Sequence, residues 1–105
     1  MAALADADLD TAVAALKDEG NAYIKQCKYP AAAQKYSEAI NLKPNSILYS
    51  NRAQAMIKME SYGLAIMDAD KAIEYVCLYY YIVIYVRKMI MTMSKFHFGS
   101  IGLNL

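Results

Sequence analysis

The chain of 105 residues contains no tryptophan, one histidine, two cysteines, two prolines and four glycines. Two cysteines cannot form a disulfide framework, and with one histidine they cannot complete a structural zinc site. So little glycine and proline excludes a collagen-like or linker sequence. A hydrophobic fraction of 58% excludes global disorder. The net charge of +1 gives no reason to expect nucleic acid as a partner.

Acidic residues are confined to the first part of the chain. Residues 1–74 hold all ten acids and eight of the eleven bases, a net charge of −2. Residues 75–105 hold three bases and no acid, a net charge of +3, together with five of the ten tyrosines. This abrupt change predicts a boundary at about residue 75, after which a divergent, hydrophobic and basic tail covers 75–105. Before it we expect a central region at 11–74, preceded by an N-terminal extension at 1–10.

The N-terminal residues do not resemble a targeting sequence. They are acidic, with Asp6, Asp8 and Asp10, whereas a secretory signal begins with basic residues and a transit peptide avoids acids. We therefore expect a cytoplasmic or nuclear protein, in which Cys27 is a reduced thiol.

The central region repeats itself once. When its second half is aligned with its first, large residues match large ones and small match small, in pairs such as Leu16 with Tyr49, Gly20 with Ala53, Tyr23 with Met56, Ala32 with Ala65 and Ala39 with Ala72. A packing pattern used twice predicts a helical repeat protein.

Each copy has the pattern of two helices. Leu16, Gly20, Tyr23 and Ile24 form the stripe of an amphipathic helix. Proline at position 30 suits the first turn of the next helix. The second copy is predicted to have helices near 46–59 and 62–74, with Asn45 or Ser46 as the N-cap and a turn at 60–61.

Small residues mark where the paired helices must cross closely. Gly20 and Ala32 occupy these positions in the first copy, and Ala53 and Ala65 in the second. A larger side chain there would hold the helices apart. Tyr36 is predicted to fill the space between the helices, together with Tyr23.

These spacings resemble the tetratricopeptide repeat. Counting from Val13, the small residues Gly20, Ala32 and Ala39 stand at the eighth, twentieth and twenty-seventh places. The resemblance implies an all-α fold of two helical hairpins, at about 13–45 and 46–74, forming a fragment of a right-handed solenoid. The second copy departs from the pattern, because it lacks the terminal proline and has Ala69 where an aromatic residue is usual.

A closer similarity exists to chaperone-binding co-chaperones. Residues 16–21 (LKDEGN) and 49–55 (YSNRAQA) resemble their repeats, and residues 60–74 are similar to the second repeat of the serine/threonine protein phosphatase 5 family. In such repeats a carboxylate clamp grips the C-terminal aspartate of the ninety- and seventy-kilodalton heat-shock chaperones. The resemblance assigns peptide binding to Lys17, Asn21, Asn51 and Lys58.

Lys17 and Asn21 also suggest this chemistry without the resemblance. They are four residues apart, so they share one face of a helix. An ammonium group supplies charge to a carboxylate, and an amide supplies directed hydrogen bonds. A solvated lysine beside a hydrogen-bonded asparagine is the alternative.

The clamp of the family is incomplete in this chain. Two basic residues of a third repeat are expected, and alignment from Glu74 places Tyr81 and Tyr85 there instead. We therefore predict a weakened binder of chaperone peptides, derived from a phosphatase 5-like protein. The alternative is a scaffold or self-associating repeat protein without chaperone binding.

No catalytic, metal or cofactor site is predicted. His97 has no cysteine or acid at metal-ligand spacing, and Cys77 lies in an apolar run without an activating base. Asp68 and Asp70 are expected to be solvated surface residues. We predict a protein that is not an enzyme and uses no cofactor.

Two properties of the tail remain open. Its β-branched and aromatic residues suit a strand, but its place after two hairpins favours a helix, which is our prediction. Self-association through its apolar surface is an alternative to a covering role. Residues 75–86 are uncharged but too few to span a membrane, so a membrane protein is not expected.

A retained intron would also account for the tail. Val76-Cys77 can be encoded by a sequence resembling a splice donor, and the residues beyond it favour AT-rich codons. In that case the chain is a truncated form of the family.

Overall fold

The structure is a computed structural model, which describes residues 5–100, with side chains described as far as Met93. These residues form four helices and no strand: α1 (Asp6–Lys25), α2 (Tyr29–Leu42), α3 (Ser46–Lys58) and α4 (Tyr62–Ser100). The all-α prediction is confirmed. The chain divides into two compact units, Met1–Tyr75 and Val76–Leu105.

The first helix begins earlier than the boundary of the expected N-terminal extension. Helix α1 starts at Asp6, and Asp6 and Asp8 lie in its first turn. Acidic side chains are favourable there because their negative charge is attracted to the positive end of the helix dipole. Residues 6–10 are therefore part of α1.

Two predicted helix starts are confirmed. Proline 30 lies in the first turn of α2. The Asn45 side chain caps α3, since its Oδ1 accepts a hydrogen bond from the backbone N–H of Leu48 at 2.9 Å. Of the two expected caps, Asn45 takes this role.

Both hairpins turn through the same backbone motif. After α1, Cys27 N–H donates to the Ile24 carbonyl and Lys28 N–H to the Tyr23 carbonyl, both at 2.9 Å. After α3, Glu60 N–H and Ser61 N–H make the equivalent bonds, to the carbonyls of residues 57 and 56. This is the Schellman motif, whose left-handed position usually holds glycine. Here the position holds Cys27 (φ 59°) and Glu60 (φ 61°).

Replacing these two residues by glycine should stabilise the first unit. A left-handed conformation costs a non-glycine residue roughly 1 kcal/mol, and glycine avoids that cost. We expect Cys27→Gly and Glu60→Gly each to raise the unfolding free energy by up to about 1 kcal/mol, measured by urea unfolding. Gln26→Gly, one residue earlier at a negative φ of −90°, should destabilise. Stabilisation by all three variants would contradict this account.

The core of the first unit is built from α1, α2 and α3. Tyr36 and Leu48 are its largest fully buried side chains. They form one cluster with the smaller or less deeply buried residues Val13, Ala32, Ala39 and Ile40. Leu16, Tyr23, Ile24 and Tyr49 pack against this cluster.

The close approach predicted at Gly20 is confirmed. Gly20, Ala32, Ala53 and Ala65 are all buried. A Cβ atom added at Gly20 would lie 2.6 Å from Cε1 of Tyr36, closer than real carbon atoms approach. The glycine therefore makes room for the Tyr36 ring.

The last helix is much longer than predicted. The prediction that it ends near residue 74 was wrong, since α4 continues to Ser100. No glycine or proline stands between Gly63 and Gly99 to end it. Residues 75–100 of the tail are thus helical, as expected. His97 lies beyond the residues whose side chains are described.

Among the described residues, one helix has the length and composition to cross a membrane. It covers Tyr62–Met93, its most apolar window has a mean hydropathy of 1.3, and none of that window is buried. The uncharged run at 75–86 underestimates the length of this apolar helix, because the helix continues through Arg87 and Lys88.

Candidate functional site

Lys17 and Asn21 lie one turn apart on α1, and both are half-buried. Within the part of the chain whose side chains are described, no carboxylate lies within ion-pair distance of the Lys17 ammonium. Lys35, by contrast, pairs with both Glu19 and Glu38. The Lys17 charge is therefore available to an anionic ligand.

The Asn21 side chain is held by a buried tyrosine. The Tyr36 hydroxyl, from α2, donates a hydrogen bond to Asn21 Oδ1 at 2.5 Å. An amide whose oxygen is occupied in this way keeps both of its N–H donors for another acceptor. Tyr36 thus orients Asn21 so that the NH₂ group can meet a carboxylate. Sequence reasoning identified Tyr36 only as a packing residue, because a contact between two different helices leaves no local pattern.

The burial of Tyr36 predicts that the folded state loses stability at alkaline pH. Burial raises the pKa of Tyr36 above its ordinary value of 10.0, because the ionised ring is poorly solvated there. The neutral form therefore stabilises the folded state fully below that value, and this contribution is lost as the pH rises beyond it.

Urea unfolding of the parent and of Tyr36→Phe at pH 8 and above pH 10 would measure this effect. We expect a smaller alkaline loss of stability in Tyr36→Phe than in the parent. Tyr23→Phe, at a half-buried position of α1, keeps the number of tyrosines matched and should show the parent's loss. Equal alkaline losses in all three proteins would contradict the role assigned to Tyr36.

Asn51 and Lys58 lie on α3, the first helix of the second hairpin. They are seven residues apart, which is close to two full turns, so they share one face. Asn51 is half-buried and Lys58 is exposed at the last residue of the helix. The four predicted site residues thus form two pairs, one on α1 and one on α3, and their role in peptide binding stays a prediction.

A buried ion pair links α3 to α4, and the sequence did not predict it. Arg52 binds Asp68 through two hydrogen bonds, Nε to Oδ2 at 2.8 Å and Nη2 to Oδ1 at 2.7 Å. The expectation that Asp68 is solvated was wrong, because Asp68 is 6% exposed. Asp70 is exposed, as expected. Hydrogen bonding to Asp68 raises the pKa of the Arg52 guanidinium further above its ordinary range.

Arg52 also reaches a third helix. Its Nη1 donates to Ser37 Oγ at 3.0 Å, and Ser37 in turn donates to the Ala33 carbonyl at 2.8 Å. The guanidinium carbon lies 5.4 Å from the centre of the Tyr49 ring, within the range of a cation–π contact. One side chain therefore joins α2, α3 and α4 in the first unit.

The first hairpin has the same pair with its charges exchanged. Glu19 aligns with Arg52 and Lys35 with Asp68 when the two copies of the repeat are superposed in sequence. The charged atoms of Glu19 and Lys35 are 3.2 Å apart, and this pair is partly exposed, with 54% of the Glu19 side chain accessible. The sequence pattern that would have revealed Arg52–Asp68 is this exchange of opposite charges between the aligned copies.

The described residues contain no group of three or more histidine, cysteine or acidic side chains that would hold a metal ion.

Comparison with known proteins identifies the repeat. The family model described as tetratricopeptide repeat matches residues 13–46, which cover α2 and most of α1. The chain carries a tetratricopeptide repeat. This finding confirms the resemblance seen in the sequence, and the match ends at the start of the second predicted copy.

Several relatives match more than half of this chain. Serine/threonine-protein phosphatase T of Aspergillus oryzae is 46% identical over 74 residues, which are 68% of this chain and 15% of that protein. Human serine/threonine-protein phosphatase 5 is 47% identical over 60 residues, 56% of this chain and 12% of the relative. Hsp70-Hsp90 organizing protein 3 of Arabidopsis thaliana is 42% identical over 59 residues, 55% of this chain and 11% of the relative. The chain thus spans a small fraction of each.

Proposed function

We propose that this tetratricopeptide protein binds the acidic C-terminal peptides of heat-shock chaperones and has no catalytic activity of its own. The observation that carries the proposal is the arrangement on α1, where the Tyr36 hydroxyl occupies Asn21 Oδ1 one turn from the Lys17 ammonium. That arrangement offers one positive charge and two amide donors to a terminal carboxylate.

The comparisons support a protein-interaction role. The matched relatives include phosphatases and a protein whose name describes it as organizing Hsp70 and Hsp90. The part of each relative that aligns with this chain is short, 11–15% of its length, which supports a shared interaction module rather than shared phosphatase chemistry. Asn51 and Lys58 on α3 would extend the surface that starts with Lys17 and Asn21. We propose a cytoplasmic or nuclear location for this protein.

The affinity should be low. At the two positions where the family has basic residues, this chain has Tyr81 and Tyr85, which are exposed and stacked on each other at 6.4 Å between ring centres. A charged hydrogen bond contributes about 1.5–3 kcal/mol, so each missing base lowers affinity by about 10–150-fold.

A peptide ending in Glu-Glu-Val-Asp tests the proposal. Fluorescence anisotropy at low salt should detect weak binding of the free acid and at least severalfold weaker binding of the amidated peptide, which lacks the terminal charge. Lys17→Ala should weaken binding of the acid and leave that of the amide unchanged. Salt should weaken the acid complex by screening the Lys17 contact.

Two further variants sharpen this test. Lys25→Ala removes an equal charge from the exposed last turn of α1 and should bind like the parent. Tyr36→Phe, which leaves Asn21 unoriented, should weaken the acid more than the amide. Equal binding of acid and amide, or no effect of Lys17→Ala, would favour the alternative function of a scaffold without chaperone binding.

A further inference from the structure

The helix of the second unit is apolar over most of its circumference. Between residues 76 and 93 all the large hydrophobic side chains are exposed, and none of the apolar window is buried. A helix that is hydrophobic around its circumference is found covered by other protein or by lipid. An uncovered patch of this length in water marks an interaction site.

Charge is not spread evenly around this helix. Tyr79, Ile82, Val86, Met89 and Met93 follow one another at alternating steps of three and four residues, so they form one stripe. At about 100° per residue, Arg87 and Lys88 point roughly 120° and 140° away from the centre of that stripe, one to each side. The helix therefore has a continuous apolar face with both of its described charges on the opposite side.

We propose that this helix lies in the plane of an anionic lipid bilayer. The stripe is immersed in the acyl region, and Arg87 and Lys88 stand at the phosphate level. A helix with a continuous apolar face and its basic residues on the other side can lie at a membrane surface. From Val76 onwards the sequence has no acid to repel anionic lipid, and Lys95 adds a third base. Tyrosine, abundant at 79–85, favours the boundary between lipid and water because its ring is apolar and its hydroxyl is polar.

The in-plane orientation follows from the position of the two bases. A spanning helix over 76–93 would place Arg87 and Lys88 within the hydrocarbon, where a charged side chain is strongly unfavourable. Lying flat, the helix keeps both charges in the headgroups without any requirement on its length. The expectation that the tail does not meet a membrane rested on its failure to span, which an in-plane helix need not do.

A second copy of the chain fits the helix less well. The residues flanking the stripe, where helix pairs carry complementary charges that select a partner, are here Val76, Val83 and Ile90 on one side and Leu78, Tyr85 and Thr92 on the other. None is charged. Two copies packed along the stripe would leave Arg87 and Lys88 on their outer sides without a partner, whereas anionic lipid neutralises them.

Vesicle flotation with the full chain tests the proposal, because aggregates sink while lipid-bound protein rises. The chain should float with vesicles made of two parts phosphatidylcholine to one part phosphatidylserine, and much less with pure phosphatidylcholine. Arg87→Gln/Lys88→Gln should weaken binding to the anionic vesicles by roughly 30-fold, the product of two lost attractions. Equal flotation with both lipids would overturn the proposal.

Two matched double variants test which face of the helix contacts the lipid. Ile82→Gln/Val86→Gln removes two side chains from the stripe and should weaken binding at least tenfold. Ile84→Gln/Met91→Gln removes two from the opposite side and should have a much smaller effect. Equal losses would overturn the in-plane orientation. A chain that sediments as a defined dimer and does not float would identify a second copy as the occupant instead.

A reporter residue then distinguishes lying from spanning. The chain has no tryptophan, so a single substitution supplies the entire indole signal. The emission of Val86→Trp should shift to the blue on anionic vesicles and be quenched by lipids brominated in the acyl chain, while Ile84→Trp should respond weakly. Strong quenching of both variants, with resistance to alkaline carbonate extraction, would show a spanning helix and overturn the proposal.

Discussion

Gly20→Leu should strongly lower the thermal stability of the first unit. The added side chain would begin 2.6 Å from the Tyr36 ring, which is 1% exposed and fixed by its hydrogen bond to Asn21. Overpacking of this kind costs about 1–3 kcal/mol, out of the roughly 5–15 kcal/mol by which a domain is stable. For a domain of this size, each kilocalorie corresponds to a fall of about 4–8 °C in Tm.

A second glycine provides the control. Gly63 lies in α4, and a Cβ atom added there meets nothing within 4 Å. Gly63→Ala should therefore stabilise by about 0.5–1 kcal/mol through reduced backbone freedom in the unfolded chain, whereas Gly20→Ala should destabilise. Ala65→Leu, at the equivalent crossing in the second hairpin, should resemble Gly20→Leu. Thermal melts followed by circular dichroism measure all four variants, and a gain of stability in Gly20→Ala would show that the helices do not cross as described.

Asp68→Asn should cost about 1–3 kcal/mol, because it leaves the partly buried Arg52 charge without its partner. Arg52 keeps its bond to Ser37, which cannot neutralise it. The pair in the first hairpin is the matched control. Glu19→Gln removes the same kind of contact at a partly exposed site, where an ion pair contributes about 0.2–1 kcal/mol.

Urea unfolding of Asp68→Asn, of Arg52→Gln and of the double variant measures the coupling between the two residues. We expect the double variant to be less destabilised than the sum of the single variants, because neither charge is then left unpaired. Added salt should reduce the contribution of Glu19–Lys35 more than that of Arg52–Asp68. Equal costs for Asp68→Asn and Glu19→Gln would contradict the difference in burial.

The parts of the fold that depend on local pattern were predictable. The stripe through Leu16 and Ile24, the proline at the start of α2 and the Asn45 cap each act within a few residues, so they identify helices without a structure. Gly20 and Ala65 were identified through the repeat, because small residues recur at aligned positions of its two copies.

The parts that depend on contacts between helices were not predictable. Arg52 and Asp68 lie on different helices, as do Tyr36 and Asn21, so these hydrogen bonds exist only once the helices pack. The length of α4 was missed because the change of composition near residue 75 was interpreted as a boundary between the second repeat and the tail. With no strand among the described residues to pair with it, and no glycine or proline to stop it, the segment continues the helix already begun.

The exchange of charge between Glu19–Lys35 and Arg52–Asp68 has a consequence for how the chain finds its native pairing. If α1 packed against α4 instead of α2, Glu19 would face Asp68. If α2 and α3 packed against each other in the register of the native hairpins, Lys35 would face Arg52. Either error sets two like charges against each other, which is destabilising, while both correct hairpins join opposite charges. The order of the charges thus distinguishes correct from incorrect helix pairs in two hairpins that share one packing pattern. A chain with Arg52→Glu and Asp68→Lys would keep both ion pairs but lose that distinction.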